Sequence, residues 1–119
     1  MKGAVRTMYV FSVYLFVVGV MLSLAPNALL TLAGLPETDE VWIRIVGVVS
    51  LLLALYYFDA ARNDTRSFFA ASILGRGFST AAFVVLWATG RPWQLLIFAA
   101  IEVVGALWTY TTMRAEAGP

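Results

Sequence analysis

Apolar residues fall into four long blocks, at positions 8–25, 41–61, 67–88 and 93–112, divided by three polar breaks. Each block comes close to the ~20 residues that a helix needs to cross the hydrocarbon core of a bilayer. Backbone in lipid must satisfy its own hydrogen bonds, so all four blocks are predicted as helices. The pattern predicts an all-α integral membrane fold. It is a four-transmembrane-helix bundle in a single domain over residues 1–119, with a short surface segment at 26–36 after the first span.

The breaks carry ordinary helix signals. Pro26 ends the first block, and Asp39 and Glu40 open the second, where negative charge suits a helix N-terminus. Asp64 or Thr65 can cap the third helix. Gly90 is placed to stop it, and Pro92 fits the first turn of the fourth. The surface segment PNALLTLAGLP has a short apolar run closed by Gly34. It reads equally well as one or two helical turns at the membrane surface or as a plain loop. Lys2, Arg6 and the Ser23-Leu24-Ala25 triplet resemble parts of a cleaved signal peptide. The apolar run is longer than the ~7–15 residues usual there, and Pro26 obstructs cleavage, so a retained helix is expected.

Composition strengthens the membrane reading. Hydrophobic residues make up 61% of the 119 and charged residues 13%, against about half and about a quarter in soluble domains. So short a soluble chain could not bury that much apolar surface. The net charge of +1 says little, and no basic stretch is dense enough for nucleic acid. Cysteine and histidine are both absent. Disulfides, thiol nucleophiles, histidine bases and the common zinc ligand sets are thereby excluded. No nucleophile–base arrangement can be assembled, so no catalytic residue and no metal ligand is assigned, and the chain is expected not to be an enzyme.

Placement of charge sets an expected orientation. Lys2, Arg6, Arg62, Arg66 and Arg114 share one side of a four-span layout, and Arg91 falls on the other, with Arg44 close to it. The positive-inside rule then puts both termini in the cytoplasm. Trp42, Trp87 and Trp93 cluster at the outer boundary, with Tyr9 and Tyr110 near the inner one, as aromatic belts do.

Two charges stand inside the apolar blocks. Arg76, in ILGRGFST, lies nine residues into the third block from the inner side, or ~13–14 Å at helical rise. Glu102 lies nine residues into the fourth block from the outer side. In an antiparallel hairpin both reach the bilayer midplane at nearly one height. A lone charge there costs ~2.5–3.5 kcal/mol on insertion scales. An Arg76–Glu102 ion pair facing the bundle interior is expected, since guanidinium and carboxylate match through two hydrogen bonds. Pairing implies that exchanging the two residues should recover folding better than either single change. The pair has two readings, a structural register lock or the wall of a polar pocket.

The neighbours agree with an interior face. Ser72, Arg76, Ser79, Thr80 and Phe83 recur at helical spacing, as do Phe98, Glu102, Gly105, Ala106, Thr109 and Tyr110. Ser12, Phe16, Gly19 and Ser23 line up on the first helix. Arg44, Gly47, Leu51, Ala54 and Phe58 line up on the second. Ala71, Gly75 and Ser79 form a small-xxx-small row that permits close helix approach, and Gly75 and Gly77 leave space beside the arginine. Ser72, Ser79, Thr80 and Phe98 therefore join Arg76 and Glu102 as candidate pocket residues. Arg44 is a further candidate. It either snorkels to outer headgroups and the acidic loop of Glu37, Asp39 and Glu40, or turns inward to join Glu102 and Arg76.

The surface segment ending Gly34-Leu35-Pro36, the RIVG string at 44–47, AAR at 60–62 and the charged third and fourth spans give the chain a layout that resembles the DoxX-like and BphX-like groups of small bacterial membrane proteins. The resemblance implies a four-span protein of the bacterial inner membrane. It brings no catalytic motif that maps onto these residues.

The expected function is a non-enzymatic membrane protein that binds a small apolar or amphipathic ligand, a lipid or quinone, in a cavity bounded by Arg76 and Glu102. No cofactor is required. One alternative is a small proton- or ion-coupled transporter or channel using Glu102, a role that an arginine partner would restrain. Another is an accessory subunit of a membrane complex. The expected partners are the lipid bilayer, a lipid or quinone, and a second copy or another membrane protein.

Overall fold

A computed structural model describes residues 3–117. Lys2, counted above among the inner basic residues, lies outside the described residues. Five helices follow in order: α1 (Gly3–Leu24), α2 (Pro26–Leu32), α3 (Trp42–Arg62), α4 (Arg66–Ala88) and α5 (Leu95–Ala117). No strand occurs among the described residues. Helices α1, α3, α4 and α5 are each long and apolar enough to cross a membrane. The shortest, α3, has 21 residues, which gives about 31 Å at helical rise and matches the hydrocarbon core. The predicted spans are thus found, with α1 starting five residues earlier than its apolar block and α5 ending five later.

The breaks show how the helix ends are closed. At the end of α2, Gly34 takes φ 77° and its N–H donates to the Thr31 carbonyl, while Leu35 donates to Leu30. At the end of α4, Gly90 takes φ 95° and donates to Trp87, while Arg91 donates to Leu86. Both are Schellman closures, in which a left-handed residue turns two N–H groups back onto otherwise unsatisfied carbonyls. Asp64 does the same after α3 at φ 51°, with Asp64 donating to Ala61 and Thr65 to Ala60. Asp64 therefore ends α3. Thr65 occupies the N-cap of α4 but makes no side-chain capping bond. Pro92 sits in a lead-in turn, its carbonyl accepting from Leu95 at the start of α5. The surface segment resolves in favour of helix, a seven-residue α2 with Pro26 in its first turn.

The chain divides into two compact units, Tyr9–Asp59 and Met1–Met8 with Ala60–Pro119. In the first, α1 and α3 cross at glycine. A Cβ on Gly47 would lie 2.5 Å from the Ser23 nitrogen and 2.9 Å from the Gly19 carbonyl oxygen. A Cβ on Gly19 would lie 2.9 Å from the Gly47 carbonyl oxygen. The two backbones touch, so the small-residue lines predicted on these helices face each other. Arg44 completes the crossing. Its Nη1 donates to the Ser23 carbonyl at 2.7 Å and the Leu24 carbonyl at 3.3 Å. These carbonyls belong to the last turn of α1, where Pro26 brings no N–H to continue the helix. A cation at a helix C-terminus is also favoured by the helix dipole.

The second unit joins α4 and α5 with the first turns of α1. At one end the Glu116 carboxylate accepts from the Ala4 N–H at 3.0 Å and from Arg66 Nη1 at 2.6 Å. One side chain thus ties the α1 N-terminus, the α4 N-terminus and the last turns of α5 together. Further along, Phe83 and Phe98 meet with ring centroids 6.2 Å apart. The Ala71–Gly75–Ser79 row behaves otherwise than expected. A Cβ at Gly75 or Gly77 would meet nothing within 4 Å, and the neighbouring Leu74 and Phe78 are each 77% exposed. Those glycines sit on the outward side of α4, so they bring no helix of the described chain close.

The two kinds of glycine should respond oppositely to one added methyl. Gly47→Ala forces α1 and α3 apart and should destabilise by about 1–3 kcal/mol. Gly75→Ala should leave stability unchanged or raise it, because alanine is the better helix former. Unfolding midpoints in mixed micelles measure both, and equal effects would contradict the crossing.

Candidate functional site

Arg76 is 2% exposed on α4, and its interior face is the one anticipated from helical spacing, with Phe69 and Ser72 buried beside it. Its guanidinium does not reach along α4 toward the level of Glu102. Nη2 donates to Ser72 Oγ at 3.1 Å and to Thr109 Oγ1 at 3.0 Å, and lies 3.9 Å from Met8 Sδ. Thr109 is 0% exposed and contacts Thr7 Oγ1 at 2.8 Å, hydroxyl to hydroxyl. The result is a buried polar cluster, Arg76–Ser72–Thr109–Thr7, that joins α4, α5 and the first turns of α1.

The hydrogens in this cluster can be counted. Thr7 Oγ1 is within donating distance of the Ala4 carbonyl at 2.7 Å, and Thr109 Oγ1 of the Gly105 carbonyl at 3.1 Å. Two hydroxyl hydrogens thus face three contacts, including the one between the hydroxyls. Either Thr7 serves Ala4 and Thr109 serves Thr7, or Thr109 serves Gly105 and Thr7 serves Thr109. Both arrangements leave a lone pair on Thr109 to accept from Arg76.

Glu102 is half-buried on α5. Arg76 acts on it electrostatically, yet among the described residues its carboxyl accepts no hydrogen bond and forms no ion pair within 4 Å. The depth count places backbone atoms, and side chains lean toward the N-terminus of their own helix. In an antiparallel hairpin they lean opposite ways. Arg76 therefore turns toward Ser72, one turn back along α4, and toward Thr109, two turns beyond Glu102 along α5.

The remaining candidates separate. Ser79 Oγ donates to the Gly75 carbonyl at 3.1 Å and Thr80 Oγ1 to the Arg76 carbonyl at 2.9 Å. Both hydroxyls are thus occupied by their own helix. Phe98 packs on Phe83. Arg44 caps α1 through the Ser23 and Leu24 carbonyls. Thr7, Met8 and Glu116 were not singled out from sequence. Thr7 lies just ahead of the apolar block, and only a helix begun at Gly3 carries its hydroxyl to Thr109.

A distinct cavity lies between α1 and α3. It has a volume of about 550 Å³ and is lined by Ser12, Val13 and Phe16 from α1 and Leu51, Ala54, Leu55 and Phe58 from α3. These are largely the helix lines read from sequence, continued beyond the glycine crossing. Ser12 is the lone polar residue among them, and its hydroxyl is held by the Tyr9 carbonyl at 2.8 Å. Val13, Phe16 and Leu55 are 60%, 56% and 59% exposed, so the cavity is an open-sided apolar groove. At one end Tyr9 and Phe58 meet edge to face, with centroids 5.4 Å apart. Among the described residues no group of His, Cys, Asp and Glu could hold a metal ion.

No family model, curated protein or solved structure matches the chain.

The hydroxyl cluster alters what a charge exchange should do. A glutamate at position 76 cannot donate to Ser72 and Thr109, so Arg76→Glu with Glu102→Arg should fold no better than Arg76→Glu alone. Thr109→Val should cost about 1–2 kcal/mol by removing one of the arginine's acceptors. Reversible unfolding in micelles checks both, and rescue by the exchange would restore the direct pair.

Proposed function

We propose that this chain is a non-enzymatic integral membrane protein that holds an apolar or amphipathic chain, a lipid acyl tail or a quinone side chain, in the α1/α3 groove. The observation that carries this reading is the groove itself. Its volume of about 550 Å³ falls within the ~300–1,000 Å³ usual for small-molecule sites. Its lining offers dispersion contacts and no free donor, which suits hydrocarbon and gives nothing to a polar substrate. Its open side lets a chain enter sideways from the bilayer. Neither Arg76 nor Glu102 lines the groove.

We also propose that both termini face the cytoplasm. Arg62, Arg66 and Arg114, with Arg6, outnumber the basic residues of the opposite breaks, which supports that orientation. The resemblance to DoxX-like proteins agrees with a bacterial inner membrane and adds no activity.

Native mass spectrometry of the gently purified protein should find a bound lipid or quinone. Ala54→Trp, which fills the groove, should remove it while helix content and monodispersity are kept. If wild type and variant carry the same adducts, or neither carries any, the groove is not the site. For orientation, the natural absence of cysteine makes single-cysteine labelling direct. Asn63→Cys should react from the cytoplasmic side and Asp39→Cys from the opposite side; the reverse result refutes the assignment.

A further inference from the structure

Among the described residues Glu102 is the one carboxyl set deep within a candidate span, and the α1/α3 groove leaves it unused. It sits eight residues into the 23-residue α5, well away from either helix end. Its neighbours along the helix face are Phe98, Ala99, Gly105 and Ala106, none with a side-chain hydrogen-bond donor. Arg76 could have neutralised it through contact, but its Nη2 hydrogen-bonds Ser72 and Thr109 instead. The hydroxyls of Ser79 and Thr80 are likewise turned to carbonyls of α4. Among the described residues nothing donates to the Glu102 carboxyl, and it is only half-buried, so it remains reachable from outside the protein.

Intramembrane carboxyls are costly and mark sites of function. Among the described residues Glu102 belongs to no group of three or more side chains that could hold a metal ion, and an anion would be repelled by the carboxylate form. A lone carboxyl in hydrocarbon needs no other protein group to bind one ligand, the proton.

We propose that Glu102 is a reversible proton-binding site within the membrane, with Arg76 as its fixed counter-charge. Uptake converts the carboxylate to a carboxylic acid, forming one O–H bond and removing one negative charge. The charge of the Arg76 and Glu102 groups together then changes from zero to plus one. Release returns the proton to whichever side or ligand has access. Arg76 on α4 is the charged group that acts on Glu102. The other ionisable groups among the described residues of the same unit stand at or near the helix ends: Arg62 in the last turn of α3, Asp64 just after it, Arg66 joined to Asp64 and Glu116, Arg114 against Tyr110, exposed Arg6, and Arg91 in the turn before α5. None of them is at mid-span. The site is independent of the α1/α3 groove, so either proposal can fail alone.

Infrared difference spectra of the protein in lipid nanodiscs, taken across a pH titration, report protonated carboxyl groups directly. A carboxylic C=O band that titrates should be present in wild type, lost in Glu102→Gln and kept in Glu116→Gln. A membrane-soluble carbodiimide, which reacts with protonated carboxyls, should form an adduct on the peptide holding Glu102, and alkaline pH should suppress it. The absence of an adduct at every pH overturns the proposal, as does a band unchanged in Glu102→Gln. If Glu102→Gln does not fold, the adduct on wild type decides by itself.

Discussion

Hydrocarbon offers no hydrogen bonds, so every polar group carried into it must find a partner within the chain. Much of the described structure follows from that constraint. Three helix ends are closed by left-handed residues that return N–H groups to waiting carbonyls. A fourth end, that of α1, precedes a proline and is served instead by the Arg44 guanidinium. Serine and threonine hydroxyls throughout the spans donate to carbonyls of the preceding turn, as at Ser23, Ser50, Ser79 and Thr80. The same rule governs Arg76. A guanidinium at that depth is tolerable because Ser72 and Thr109 receive it.

Small residues serve two distinct purposes along this chain. Gly19 and Gly47 let two backbones touch, and side chains beyond that point splay enough to leave a groove. Gly75 and Gly77 face outward and touch nothing. Glycine content alone could not separate these cases, since both sit in apolar helices at similar spacing. What separates them is the partner row. Ser12, Phe16, Gly19 and Ser23 have a complementary line on α3, whereas the row through Gly75 has none within the described chain.

The spans were legible because the apolar period is strong and the breaks carry proline, glycine and acidic residues. The interior face of α4 was legible for the same reason, since Ser72 and Arg76 stand out against alanine, leucine and phenylalanine. The arginine's partner was harder to read. Depth counting follows the helix axis, while the partner is chosen by the direction in which side chains lean, and that direction reverses between antiparallel helices. Thr7 was hidden for another reason: a polar residue at the edge of an apolar block looks like its boundary until the helix is seen to start at Gly3. Arg44 could have been found by asking what satisfies the last carbonyls of α1, which have no partner within that helix.

The shared hydrogens of Thr7 and Thr109 make the cluster resemble a fragment of ice more than a rigid clamp. Two hydrogen placements each satisfy the contact between the hydroxyls, one serving the Ala4 carbonyl and the other the Gly105 carbonyl, and exchanging them turns two O–H dipoles while moving no heavy atom. Such a pair is a small polarisable element in a medium that otherwise has almost none. It can reorient to follow a change of charge nearby and soften the electrostatic cost of that change, so the interior of this unit is less uniformly oily than its composition suggests.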